Sequence, residues 1–224
     1  MIWWWRTRAL TAVSIAFLAS LVAGMVVGGE VLPLPSMAGS LLVPVVFALL
    51  LPLVPIILLW YGVDRSSGDL DATAVRAMAA RDLSVAATMM LATAATVGVT
   101  SAAGWWDLGP GYLRNLIGCL GLAQIVAPLT GSRFAAIAPV AAVIISALFG
   151  TGNGGLVRWW AWPIADARAH LAFIEALLLM VLGGAVALCG VGRTRRRRLL
   201  PPPPPREGKR SHSGHLGPVS HEKL

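Results

Sequence analysis

Arg114 and Glu175 are charged residues within otherwise apolar stretches of this 224-residue chain, which makes them the first candidates for chemistry. Arg114, followed by the polar Asn115, lies near the start of an apolar stretch over residues 112–129, and Glu175 lies about one turn into another over 171–191. A charge inside hydrocarbon is costly and by default marks either function or a specific partner. At about 1.5 Å of rise per residue the two depths agree to within roughly 5 Å, so Arg114 and Glu175 are expected to approach each other. Two alternatives stay open: Arg114 extends to the headgroups while Glu175 faces a wet crevice, or the polar group touches a substrate directly. The sequence contains no Walker A loop, H-E-x-x-H, G-x-S-x-G or Cys/His metal spacing. His212, His215 and His221 fall near the C-terminal end, in a segment with nothing to fix a ligand geometry. Neither a catalytic residue nor a metal or cofactor is expected, and the chain does not read as an enzyme.

The elements that must hold these residues follow from composition. The chain is 57% hydrophobic and 12% charged, with a mean hydropathy of +0.74, whereas a soluble domain is about one-quarter charged. A helix needs about 20 apolar residues to cross roughly 30 Å of hydrocarbon. Six stretches approach that length, at about 9–28, 41–61, 83–104, 112–129, 134–149 and 171–191. The expected fold is all-α: a polytopic bundle of about six transmembrane helices over residues 1–192, followed by a disordered, basic, Pro-rich tail over 193–224. The fourth and fifth stretches are the shortest, and Gly131, Ser132 and Arg133 supply a tight turn between them. The first is too long for a signal-peptide core and lacks an A-x-A site after it.

Charge sets the orientation. From Arg193 onward nine Lys or Arg face Glu207 and Glu222, a balance of +7, while the rest of the chain has nine basic against eight acidic residues, or +1. The basicity therefore belongs to a tail beside a membrane, where it favours cytoplasmic retention and contact with anionic lipid; no nucleic-acid partner is expected. Arg6 and Arg8, then Arg65, Arg76 and Arg81, then Arg133, then Arg195–Arg198 fall on one side of six spans, giving both ends in the cytoplasm of a multi-pass plasma-membrane protein. Arg158 and Arg168 depart from that pattern, but the same connection carries Trp159, Trp160 and Trp162, which read as an external, re-entrant aromatic belt, as do Trp105 and Trp106.

Pro44, Pro52, Pro55, Pro128 and Pro139 interrupt or end the spans, which lipid tolerates when neighbours satisfy the freed carbonyls. Gly24 with Gly28, and Gly183 with Ala187, form small-xxx-small pairs that let helices approach, within this chain or with another. Cys119 and Cys189 sit in apolar runs as small hydrophobes. Between the second and third spans, Asp71 is a good N-cap for a short amphipathic helix in which Val75 and Met78 share helical spacing and Arg76 and Arg81 take other faces. That helix is either interfacial, merging into the third span, or a docking element for a cytoplasmic partner.

This layout resembles the permease subunit of type-2 ABC exporters, which has six spans, both ends inside and no ATPase of its own. The resemblance implies an N-terminal interfacial helix at Met1–Arg8, a coupling helix at Asp71–Arg81 that meets a separate ATPase subunit, and a segment at Gly150–His170 that folds back toward the membrane outside. The run YLRNLIGCLGLA at 112–123, followed by WWAWP at 159–163, is also similar to small membrane proteins of high-GC actinobacteria, several of them labelled ABC permeases. A homo- or hetero-dimeric permease exporting an unspecified substrate is the expected function. The alternative is a non-transporting structural or regulatory membrane protein that assembles through its Gly/Ala helix faces.

Overall fold

Prolines at alternate positions decide where the first connection stops being helix. Val31–Pro35 (VLPLP) forms β1 and Leu42–Val46 (LVPVV) forms β2, paired antiparallel with Pro33 opposite Pro44 and Pro35 opposite Leu42. Proline has no N–H to give a ladder, so the 31/46, 33/44 and 35/42 pairs must be non-hydrogen-bonded ones, leaving the bonds to 32/45 and 34/43. The Phe47 amide donating to the Glu30 carbonyl at 2.8 Å continues that alternation. The expected second span therefore loses its first residues to a strand.

A computed structural model describes residues 9–35, 37, 42–66, 78–152 and 156–199. It is mostly helical, with six helices, five of them long and apolar enough to cross a membrane. Helix α1 is Leu10–Val26, 17 residues and the shortest of the six apolar segments. After the hairpin, a 3-10 turn at Phe47–Leu49 leads into α2, Leu53–Ser66, the two together making an apolar segment over Phe47–Arg65. Helix α3 is Met78–Ala102 and α4 is Gly109–Thr130. Gly131, at φ +92°, turns the chain into α5, Ser132–Phe149, which breaks at Ala136. Helix α6 runs His170–Leu199, past the expected tail boundary at 193. Arginine is a good helix former, and the proline run that starts at Pro201 is the first sequence feature that forbids continuation.

Of the docking segment expected at Asp71–Arg81, Asp71, Val75 and Arg76 lie outside the described residues, as do Trp3–Trp5; Met78 and Arg81 fall in the first turn of α3.

The central element is α4. Of its apolar window 56% is buried within the chain, against 17% for α6, which turns most of its surface outward. Leu116, Cys119 and Leu120 of α4 share one core with Val13 and Phe17 of α1, Ile56 of α2, Met89 of α3 and Ala172 and Ala176 of α6. The most extensive helix contact is α4 on α6, and it depends on glycines. A Cβ on Gly183 would lie 2.5 Å from the Gly121 carbonyl oxygen and one on Gly121 would meet the backbone of Leu179 and Met180, while one on Gly118 would lie 2.5 Å from Cη2 of Trp162, in the segment before α6.

The connections alternate between the two ends of the bundle. At one end the Met37 amide donates to the Leu148 carbonyl at 2.9 Å, and Arg168 pairs with Asp107 at 3.1 Å, bringing all three odd-numbered connections together. At the other end Ser132 donates to Asp64 Oδ1 at 3.1 Å.

Candidate functional site

The first two turns of α4 carry three buried polar side chains, Tyr112 facing Ser20 of α1, Arg114 facing the segment after α5, and Asn115 facing both that segment and the start of the second apolar segment. Tyr112 and Arg114 are 0% exposed and Asn115 is 1% exposed, so none of them extends to headgroups or water.

Asn115 answers the prolines of the second span. In a helix or 3-10 turn the Leu49 carbonyl would accept from residue 52 or 53, but Pro52 has no N–H and the Leu53 amide is taken by Leu50 at 3.0 Å. Asn115 Nδ2 donates to that orphaned carbonyl at 2.9 Å and to the Pro163 carbonyl at 2.7 Å. The Leu51 carbonyl, whose i+4 residue is Pro55, accepts the Val54 amide at 3.2 Å and, as a second donor, the Ser20 hydroxyl of α1 at 2.8 Å. Because that bond uses the only serine hydrogen, the Tyr112 hydroxyl must donate to Ser20 Oγ, 2.8 Å away. The Tyr112 ring tilts against Trp106 at 5.4 Å between centroids, next to Gly24.

Arg114 does the same for the connection between α5 and α6. Its Nη1 donates to the Asp166 carbonyl at 2.6 Å, Nη2 to the Ala165 carbonyl at 2.9 Å and Nε to Asn115 Oδ1 at 3.1 Å. The rigid fork of the guanidinium suits this multi-point grip. Non-helical backbone at membrane depth is tolerated only where protein satisfies it. Arg114 and Asn115 together supply that satisfaction for both irregular segments.

The expected approach of Arg114 to Glu175 is met only as proximity. The two lie within Coulombic range of each other, but Arg114 spends its donors on carbonyls and Glu175 Oε2 is buried with no hydrogen-bond partner. The aromatic belt needs a correction. Trp159 is 77% exposed and Trp160 half-buried, whereas Trp162 is 7% exposed, in a 3-10 turn over Trp162–Ile164, with its ring against Gly118. Trp105 and Trp106 divide in the same way, the first exposed and the second buried. A tryptophan pair does not mark an interface by itself; a facing glycine takes one ring inside.

The small-residue pairs are occupied within the chain. Gly24 faces Trp106 and Tyr112, Gly28 faces Ala48, and Gly183 faces Gly121 and Gln124, while Ala187 is half-buried. Arg168, an exception to the orientation rule, pairs with Asp107 at an exposed position, where such a bridge contributes little stability.

Sequence reasoning found Arg114 and Asn115 but missed Tyr112 and Ser20. The available signal was Pro52, whose missing amide, with the Leu53 amide taken by Leu50, leaves the Leu49 carbonyl needing a side-chain donor from elsewhere. Among the described residues no group of three or more His, Cys, Asp or Glu is placed to hold a metal ion. Comparison with protein-family models, with curated proteins and with solved structures returns no match.

Proposed function

We propose that this chain is the membrane subunit of an ABC-type exporter, set in the cell membrane with both ends in the cytoplasm, which moves a substrate outward using a separate ATPase subunit. The observation that carries the reading is the return of the segment after α5 into the bundle, where Trp162 and Pro163 are buried and Arg114 and Asn115 hold the carbonyls of Pro163, Ala165 and Asp166. A segment folded back in that position is what the exporter layout calls for between spans five and six. It lies at the end of the bundle opposite the first turn of α3, where Met78 and Arg81 end the Asp71–Arg81 segment on which a cytoplasmic partner would act. The differential binding that drives alternation belongs to that ATPase, and two copies of the membrane subunit, alike or different, complete the transporter.

The competing reading is a non-transporting structural or regulatory membrane protein. In its favour, the donors of Arg114 and Asn115 are spent within the chain. Against assembly through Gly/Ala helix faces, Gly24, Gly28 and Gly183 already face their own chain and are not available to recruit another.

Purification in mild detergent tests the choice. The exporter reading expects an ATP-hydrolysing protein bearing G-x-x-x-x-G-K-[ST] to co-purify, and Arg76→Glu with Arg81→Glu to release it. Recovery of no ATPase, with those substitutions silent in cells, would support the structural reading instead.

A further inference from the structure

We propose that Glu175 is a proton-binding site within the membrane: its carboxyl carries a proton while Arg114 grips the segment after α5, and its ionisation draws the guanidinium off that segment. This inference does not depend on transport. The contact of α4 with α6 sets the register of the two residues. A Cβ on Gly118 would lie 3.1 Å from that of Ala176, and one on Gly121 would meet the backbone of Leu179 and Met180. Carried back along both helices, that register puts Arg114 level with Ala172 and Glu175 three residues deeper, or about 4.5 Å at 1.5 Å per residue. Helical side chains lean toward the N-terminus of their helix, which brings the Glu175 carboxyl back toward Arg114, and the two groups interact electrostatically.

They nevertheless share no hydrogen bond. Arg114 gives its Nε, Nη1 and Nη2 hydrogens to Asn115, Asp166 and Ala165, and Glu175 Oε2 is buried without a partner. Other charges offer little help. Of the further elements packed on α6, α3 has no ionisable residue over 84–102 and the Trp162–Ile164 turn has none. Along α6 itself Glu175 is the one ionisable residue over 171–188, and His170 is exposed at the helix start. Beside Arg114 stand the buried Cys119 thiol and Asp166, whose carboxylate already offsets part of the guanidinium charge. Leu171, Ile174 and Leu178, all exposed on the outward surface of α6, flank Glu175 with hydrocarbon. A carboxylate without a donor is costly there, and a bound proton removes the charge. The other remedy is the Arg114 fork, which suits a carboxylate at two points, at the expense of the Ala165 and Asp166 carbonyls. Ionisation releases one proton to the water at the exposed Asp107–Arg168 end and leaves one negative charge, which the unchanged guanidinium moves to meet. Asn115 is then the remaining hold on that segment, through Pro163.

Infrared spectroscopy of the full chain in lipid nanodiscs tests this. The expected result is the C=O stretch of one protonated carboxylic acid per chain at neutral pH, absent from Glu175→Gln and lost from the wild type as pH rises. Hydrogen exchange across residues 159–169 should then become faster in the wild type than in Glu175→Gln, which cannot ionise. Comparing the two chains at one pH removes the intrinsic pH dependence of exchange. As a measurement that needs no variant, dicyclohexylcarbodiimide, which attacks protonated carboxyls in apolar surroundings, should modify Glu175 and do so more slowly as pH rises. A wild type with no acid band at neutral pH, a band that survives in Glu175→Gln, equal exchange in the two chains at raised pH, or carbodiimide confined to other residues would overturn the proposal.

Discussion

Replacing Asn115 with leucine removes the two hydrogen bonds that join the start of the second apolar segment and the segment after α5 to the centre of the bundle. The two side chains share the same branched four-atom skeleton and the site is closed to solvent, so lost polar satisfaction is the main change, with any crowding by the bulkier methyl groups adding to the cost. Asn115 Nδ2 donates to Leu49 and Pro163 at 2.9 and 2.7 Å. Side-chain hydrogen bonds inside membrane proteins average about 0.6 kcal/mol and reach about 1.7. With the Arg114 Nε bond that Asn115 Oδ1 accepts at 3.1 Å, three bonds are lost, which places the cost at about 2 to 5 kcal/mol, or roughly thirtyfold to a few thousandfold in the folding equilibrium. The upper part of that range is favoured because Pro52 leaves the Leu49 carbonyl with no local substitute, and an unmet buried acceptor costs about 1–3 kcal/mol by itself. Gln124 is the internal control: it lies on the same helix, is buried, and its Oε1 has no partner. Gln124→Leu should therefore be neutral or stabilising by up to about 1 kcal/mol. Both variants are measured by unfolding in mixed micelles of rising dodecyl sulfate fraction, followed by circular dichroism and tryptophan fluorescence. If Asn115→Leu proves as mild as Gln124→Leu, the carbonyl-satisfying role assigned to the start of α4 is wrong. A Pro52→Ala background adds a cross-check, because an amide at position 52 gives the Leu49 carbonyl a local donor and should reduce the cost of Asn115→Leu.

Other outcomes follow from the packing and the register. Gly118→Ala sets a Cβ 2.5 Å from the Trp162 ring and should destabilise by about 1–3 kcal/mol, whereas Gly98→Ala, with nothing within 4 Å, should stabilise α3 by about 0.5–1 kcal/mol; the same unfolding assay reads both. Cysteines at Asp107 and Arg168, which touch at 3.1 Å, should both react with a membrane-impermeant thiol reagent from the same face, and reaction from opposite faces would break the alternation of connections described here. In the hairpin, hydrogen exchange should show the Leu32 and Val45 amides protected and the Val31 amide fast, and Leu32→Pro should disrupt pairing that Pro33→Val leaves intact. A slow Val31 amide with fast Leu32 and Val45 amides would mean the pairing alternates the other way.

What could be read from the sequence were the quantities that depend on solvent transfer. Runs such as LLLMVLGGAVALC and MMLATAATVGV bury themselves in hydrocarbon wherever their neighbours lie, so helical character and the approximate placement of the third to sixth segments follow from local composition. The hairpin was also legible in principle, since proline on alternate residues at 33, 35 and 44 suits a ladder and not a helix; hydropathy over the same residues concealed it. Partner choice could not be read in this way. Arg114 is equally costly in lipid whether a carboxylate or two carbonyls receives it, and only the position of the chain at 163–166 decides. Likewise Trp159 and Trp162 have the same hydrophobicity, and Gly118, forty-four residues from Trp162 in the chain, is what draws one ring inside. Transfer free energy is a property of a segment, whereas hydrogen bonds and close contacts join segments distant in sequence, so their partners emerge only when the helices have packed.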